Sequence, residues 1–214
     1  MPNLKALFSI IAGLVIITTP VASQDVWITG DTPFIELLVG DDFIVIERNQ
    51  DNDAIISPAF ARTSRPCPPF CIQPMSTGEG VDTYGEMEVL NFLEGEVQSG
   101  EGLLIDARTP SFYHAGTIPG STNLPFNLLS NSETNPFVQP ILTQFGAVKN
   151  ADGSWNFDNA KSLALFCNGP WCGQSPRAIG NLLSLGYPPE KLKYYRGGMQ
   201  NWLMLGLTVV VPSS

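Results

Sequence analysis

The sequence holds one histidine, His114. A metal site built on several imidazoles is thereby excluded. A Ser-His-Asp triad would have to use His114, which follows Phe112 and Tyr113 in a loop, away from any Gly-x-Ser-x-Gly turn; it reads as an exposed loop residue. Positive charge is also scarce, with 11 Lys and Arg against 20 Asp and Glu and a formal charge of −9. The basic residues are scattered singly, and Lys191 with Lys193 is the densest pair. Such a surface repels a phosphate backbone, so nucleic acid is not an expected partner. No run beyond residue 19 is long and apolar enough to span a membrane, which takes roughly 20 residues. No internal repeat is evident. With 43% hydrophobic and 14% charged residues over 214 positions, the composition is globular. The length suits one core of ordinary size plus a smaller appendage.

The apolar run that does exist stands at the start. Lys5 precedes an uncharged stretch over residues 6–19, Pro20 breaks it, and Val21, Ala22 and Ser23 offer small residues for cleavage. This reads as a secretory signal peptide over residues 1–23, with an uncleaved anchor as its rival, and it predicts a periplasmic or secreted protein with no membrane span after cleavage. Cleavage takes away Lys5 and no acid, leaving 10 basic and 20 acidic residues and a formal charge of −10. Export gives weight to the four cysteines, Cys67, Cys71, Cys167 and Cys172, because paired cysteines in an oxidising compartment form disulfides by default.

Residues 24–80 are expected to form a β-hairpin and a Pro/Cys-rich connector. Residues 34–39 and 43–47 are rich in β-formers, and Gly40, Asp41 and Asp42 lie between them. Residues 65–74 carry four prolines and cannot form a regular helix or central strand. Cys67 and Cys71 are read as a structural disulfide stapling this connector; a four-thiol metal site and exchange with the Cys167 loop are the alternatives.

Residues 81–214 read as an α/β domain. A helix is predicted over residues 83–93, with Thr83 and Glu86 as its capping box. Buried strands are predicted over 103–107, 162–166 and 193–195. Helices are predicted over 175–185, ended by Gly186, and over 199–205. Residues 131–159 read as an irregular insertion with one short helix near 137–145. Strands alternating with helices imply a parallel sheet.

Cys167 stands where the second buried strand ends. Ser175 and Pro176 read as the N-cap and first residue of the next helix. Gly169 and Gly173 let the intervening loop curl so that backbone N–H groups face inward, and ligands of open α/β sheets bind at this end of the strands. A thiolate there is stabilised and nucleophilic. Cys172 has three readings: it resolves a persulfide on Cys167, it pairs with Cys167 in a dithiol–disulfide couple, or it is an inert thiol.

Residues 103–110, 116–125, 165–167 with the loop that follows, and 195–202 together resemble the rhodanese-like domain, in order and at the usual intervals, from about residue 81 to 211. The resemblance implies a small parallel sheet flanked by helices and a persulfide-forming cysteine at Cys167, with no cofactor. A sulfurtransferase of this kind would take sulfur from a small donor and give it to a thiol acceptor. A thiol–disulfide protein working with a periplasmic redox partner, or a non-catalytic binding module, would fit the same fold. Asp106 and Arg108 match the family's Asp-x-Arg and read as a buried ion pair beside the site. Asn168, Gly169, Trp171, Gly173, Gln174, Ser175 and Arg196 are the expected substrate-binding residues. The chain departs from the family in the loop: measured to Ser175 it is longer than usual by about two residues, it holds no Lys or Arg, and Gly173 stands where a phosphatase needs Arg. Arg177 and Arg196 are the available substitutes.

Overall fold

The computed structural model describes residues 25–130 and 135–212, so the expected export segment lies outside the described residues. The N-terminal hairpin forms as expected. β1 (Phe34–Val39) pairs antiparallel with β2 (Asp42–Glu47) across a two-residue turn in which Gly40 takes φ 64°, a conformation that favours glycine. The short α1 (Pro58–Ala61) follows, and the proline-rich connector runs on from it.

The larger unit is built from β3 (Asp82–Tyr84), α2 (Glu86–Phe92) with a π-helical turn over Leu93–Val97, β4 (Gly102–Asp106), α3 (Pro110–His114) and β5 (Ser121–Asn123). It continues with α4 (Val138–Gln144), a small hairpin of β6 (Val148–Lys149) and β7 (Trp155–Asn156), β8 (Ser162–Phe166), α5 (Gln174–Ser184), β9 (Leu192–Tyr195) and α6 (Gly198–Met204). Five strands form one parallel sheet in the order β3-β9-β8-β4-β5.

Two helix starts differ from expectation. Thr83 lies in β3, paired with Tyr194, so α2 starts later, and Glu88 rather than Glu86 reaches back to accept from the Gly85 N–H at 2.9 Å. In α5 the N-cap is Gly173, not Ser175. The Ser175 hydroxyl is turned to Cys167 instead, so it is not free to cap. The C-terminal end of α5 is as expected: Gly186 takes φ 86°, and the Tyr187 N–H closes back on the Leu182 carbonyl at 3.0 Å.

The sheet is covered on both faces. Leu163 and Leu165 of β8 pack with Ala178, Ile179 and Leu182 of α5 and Leu142 of α4. Ala164 and Phe166 face the other way, among Val89 and Leu90 of α2 and Met199 and Trp202 of α6. Strand alternation therefore explains why β8 is apolar throughout. The hairpin belongs to this second layer: Ile35, Leu37 and Ile46 are buried in it, each such side chain contributing about 1.5–3 kcal/mol. The Gln98 side chain clasps the edge of β1 through both the N–H and the carbonyl of Leu38.

Candidate functional site

Cys167 follows directly on β8, at the carboxyl end of a central strand, and is 2% exposed. The loop from Asn168 to Gly173 returns the chain to the start of α5. Because the helix starts at Gln174, the loop has six residues after Cys167; the apparent two-residue excess came from placing the cap at Ser175. Its shape is held from below by α6. Met199 N–H donates to the Cys167 carbonyl and Gln200 N–H to the Asn168 carbonyl, each at 3.0 Å. Gly198 permits this approach: it takes φ 54°, and a Cβ there would stand 2.3 Å from the Cys167 carbonyl oxygen.

With both carbonyls drawn down, the loop amides turn toward the sulfur. The Ser175 hydroxyl donates to Cys167 Sγ at 3.2 Å. Burial disfavours the thiolate, but hydrogen bonds from the Cys172 thiol, the Ser175 hydroxyl and the Ser175 and Gly169 amides outweigh it and bring the Cys167 thiol down to about 7. The Cys172 carbonyl lies 3.2 Å from the same sulfur and accepts from it in the thiol form. Cys172 moves the opposite way. Its hydrogen bond to Cys167, then burial, hold its proton on well above the ordinary thiol range. The pair thus resolves into one acidic thiol and one that keeps its proton, and both are free of disulfides.

Arg108 is 2% exposed and is committed to Asp106, with Nε to Oδ1 at 2.8 Å and Nη2 to Oδ2 at 2.5 Å. Asp106 also accepts from Thr117 Oγ1 at 2.8 Å, and Arg108 Nη2 donates to the Gly116 carbonyl at 2.7 Å. This is the expected buried ion pair, and Arg108 Nη1 extends it to Asn168 Oδ1 at 3.4 Å.

The N-terminal connector lies over the loop. Phe70 meets Trp171 edge to face at 5.5 Å, the Arg65 guanidinium sits 4.1 Å over the Trp171 ring, and the Gln73 N–H donates to the Pro170 carbonyl at 2.8 Å. Gln200 ties both sides, accepting from Trp171 Nε1 at 2.7 Å and donating to the Phe60 carbonyl at 2.9 Å. The Cys67 and Cys71 sulfurs stand side by side in disulfide geometry, their Cα atoms 4.6 Å apart. Between this roof and the loop lies a cavity of about 600 Å³.

Of the expected substrate-binding residues, Asn168, Trp171, Gly173 and Gln174 line the cavity, as does Cys172. Gly169 and Ser175 instead face Cys167 Sγ. Arg196 is not at the cavity: its Nε and Nη2 both donate to the Gln73 carbonyl, at 3.1 and 2.9 Å, fastening the roof. Arg177 is exposed and lies over Phe126. His114 is exposed on α3. No group of three or more His, Cys, Asp or Glu suited to a metal ion occurs among the described residues, and no helix among them is long and apolar enough to cross a membrane. The sequence reading missed Phe60, Arg65 and Phe70. The only signal for them was the proline-rich stiffness of the segment, which does not say what it rests on.

A family model described as the rhodanese-like domain matches residues 89–205. No curated protein matches the chain. Among solved structures, a Rhodopseudomonas palustris protein described as a possible tyrosine phosphatase is 18% identical with a TM-score of 0.45, covering 63% of this chain and 88% of its own. The thiosulfate sulfurtransferase of Pseudomonas aeruginosa is 20% identical with a TM-score of 0.42, covering 63% of this chain and 21% of its own. A human single-domain sulfurtransferase is 26% identical with a TM-score of 0.37, covering 59% of this chain and 97% of its own.

Proposed function

The chain belongs to the rhodanese-like domain family, and from that membership together with the surroundings of Cys167 we propose that it is a sulfurtransferase carrying sulfane sulfur as a persulfide on Cys167. The observation that carries this reading is the convergence of the Ser175 hydroxyl and the Ser175 and Gly169 amides on one buried sulfur at the end of β8. The Cys167 thiolate attacks the outer sulfur of a donor. The donor's S–S bond breaks, its electron pair leaves with the donor remainder (sulfite from thiosulfate), and Cys167 carries the persulfide anion. An acceptor thiolate or cyanide then attacks the outer sulfur and returns the Cys167 thiolate. Donors aimed at the thiolate also stabilise the terminal persulfide anion. Gly173, six residues after Cys167, supplies no guanidinium to clamp a phosphoryl group, which argues against phosphatase chemistry.

The nearness of Cys172, whose carbonyl lies 3.2 Å from Cys167 Sγ and whose thiol is free, favours a second reading, a dithiol couple. Cys172 attacks the inner sulfur of the persulfide and expels hydrosulfide. The sulfane sulfur gains the two electrons that the two thiols lose, and an external dithiol, supplied by a periplasmic redox partner, resets the disulfide. Export is part of the proposal. It rests on Lys5, the apolar stretch and the small residues at 21–23, and the Cys67–Cys71 pair then persists as a structural disulfide. Cell fractionation with N-terminal sequencing of the mature protein tests it; full-length protein retained in the cytosol sinks it.

The test of the chemistry is to treat the reduced protein with thiosulfate or an organic persulfide and map added sulfur by mass spectrometry. Sulfur is expected on the Cys167 peptide and absent in Cys167→Ser. Sulfur still carried by Cys167→Ser overturns the assignment. Loss of the added sulfur with appearance of a Cys167–Cys172 disulfide identifies the dithiol couple.

A further inference from the structure

The cavity over the loop is not made by the α/β unit alone. Phe60, Arg65 and Phe70 of the N-terminal segment form one wall. Phe112, Met199 and Leu203 line it as well, as do Trp171 and Cys172 of the loop, while Cys167 itself lies just beneath, 2% exposed. Its volume of about 600 Å³ lies within the range of small-molecule sites, roughly 300–1,000 Å³, and is far larger than thiosulfate or cyanide requires.

The charges on the wall are equally selective. No Asp or Glu lines the cavity. Arg108 lines it, but its guanidinium is neutralised by Asp106. Arg65 remains: it lies over Trp171, its Nη2 donates to the Ala59 carbonyl at 2.5 Å, and its Nε is buried with no hydrogen-bond partner. A small, doubly charged, strongly hydrated ion would lose its water here against apolar walls and one cation, an unfavourable exchange. An apolar body with one negative group matches both features.

We propose that the N-terminal segment turns this pocket into a binding site for an organic sulfur donor with an apolar, ring-sized body and a single negative charge held near Arg65, in preference to thiosulfate. This rests on the reading of Cys167 as the sulfur carrier. The body fills the space between Phe60, Phe70 and Met199 while its sulfane sulfur points toward Cys172 and Cys167.

Two thiosulfonates of identical reactive group test this, methanethiosulfonate and naphthalenethiosulfonate. With each, the Cys167 thiolate attacks the terminal sulfur, the bond to the sulfonyl sulfur breaks, and the electron pair leaves as the sulfinate. The initial rate of sulfur loading on Cys167 is followed by mass spectrometry at subsaturating donor, and binding of naphthalenesulfinate to the reduced protein is measured by calorimetry. The naphthalene donor is expected to load at least about tenfold faster than the methyl donor, from the additional apolar area buried. This ratio is expected to fall toward one in Phe60→Ala and in Phe70→Ala. Because a misfolded variant loses both rates, the ratio separates pocket loss from unfolding. Equal loading by both donors with no saturable naphthalenesulfinate binding overturns the pocket proposal and leaves sulfur transfer standing. Saturable binding with no sulfur on Cys167 from either donor overturns the sulfur-carrier reading, and the donor assignment with it.

Discussion

At the scale of residues, the site turns on two thiols that share one proton unequally. The Ser175 hydroxyl donates to Cys167 Sγ at 3.2 Å, and the neighbouring Cys172, whose thiol donates to Gln174 Oε1 at 3.7 Å, also favours the thiolate. Replacing either by alanine removes a group that favours the thiolate and is expected to raise the Cys167 midpoint above about 7, by about one unit. Thiolate absorbance in the ultraviolet, or alkylation rate against pH, measures it; a midpoint unmoved in both variants would refute the donor network. Stability should follow. The native state releases the Cys167 proton near pH 7, whereas an unfolded thiol holds it to about 8.5. The contribution is therefore present above the unfolded value and is lost as pH falls through the native one. Between those limits the folded protein binds fewer protons, so denaturant stability is expected to rise with pH across that window, by about 2 kcal/mol. The rise should be absent in Cys167→Ala. Above it the raised Cys172 thiol reverses the slope.

At the scale of elements, α6 shapes the loop that holds the thiol. Gly198→Ala places a methyl against the Cys167 carbonyl at a positive φ. It is expected to cost about 2–3 kcal/mol and to return Cys167 toward an ordinary thiol; urea titration and the same absorbance scan check both. The hairpin is an integral part of the packing, since Leu37 is fully buried against the larger unit. Leu37→Ala should cost about 3 kcal/mol, and a cost below 1 kcal/mol would show that the hairpin contributes little to the common core. Much at this scale was readable in advance. β8 lies over Ser162–Phe166 as expected, because a short unbroken apolar run admits few other roles. β3 and β5 were not foreseen. Each is a three-residue edge strand of polar composition, held by its neighbour's ladder rather than by its own pattern. Ser175 misled for a physical reason, since the side chain best suited to cap the helix is the one the sulfur uses.

At the scale of the whole molecule, the site joins residues about a hundred positions apart. The position of Cys167 could be inferred locally from strand, loop and helix. The contacts of the roof could not, because a proline-rich segment has no period, and its anchors are single contacts such as Gln73 with Pro170 and with Arg196. Those anchors can be loosened selectively. Arg196→Ala removes two charge-assisted bonds to the Gln73 carbonyl. Opening of the roof, read as alkylation of Cys172 and Cys167 by a neutral reagent, is expected to quicken about tenfold. An unchanged rate would show that the roof does not limit access.

The clasp between Gln73 and the Pro170 turn has a consequence for how such a protein diversifies. The thiol and the groups that acidify it lie between residues 167 and 198, whereas Phe60, Arg65 and Phe70, which line the cavity, lie in a stretch more than ninety residues earlier. Part of the cavity lining is thus written far from the reacting thiol, although Trp171 and Met199 line it too. Substitutions in the early stretch can retune which molecules are admitted while leaving the reacting sulfur and its hydrogen bonds untouched.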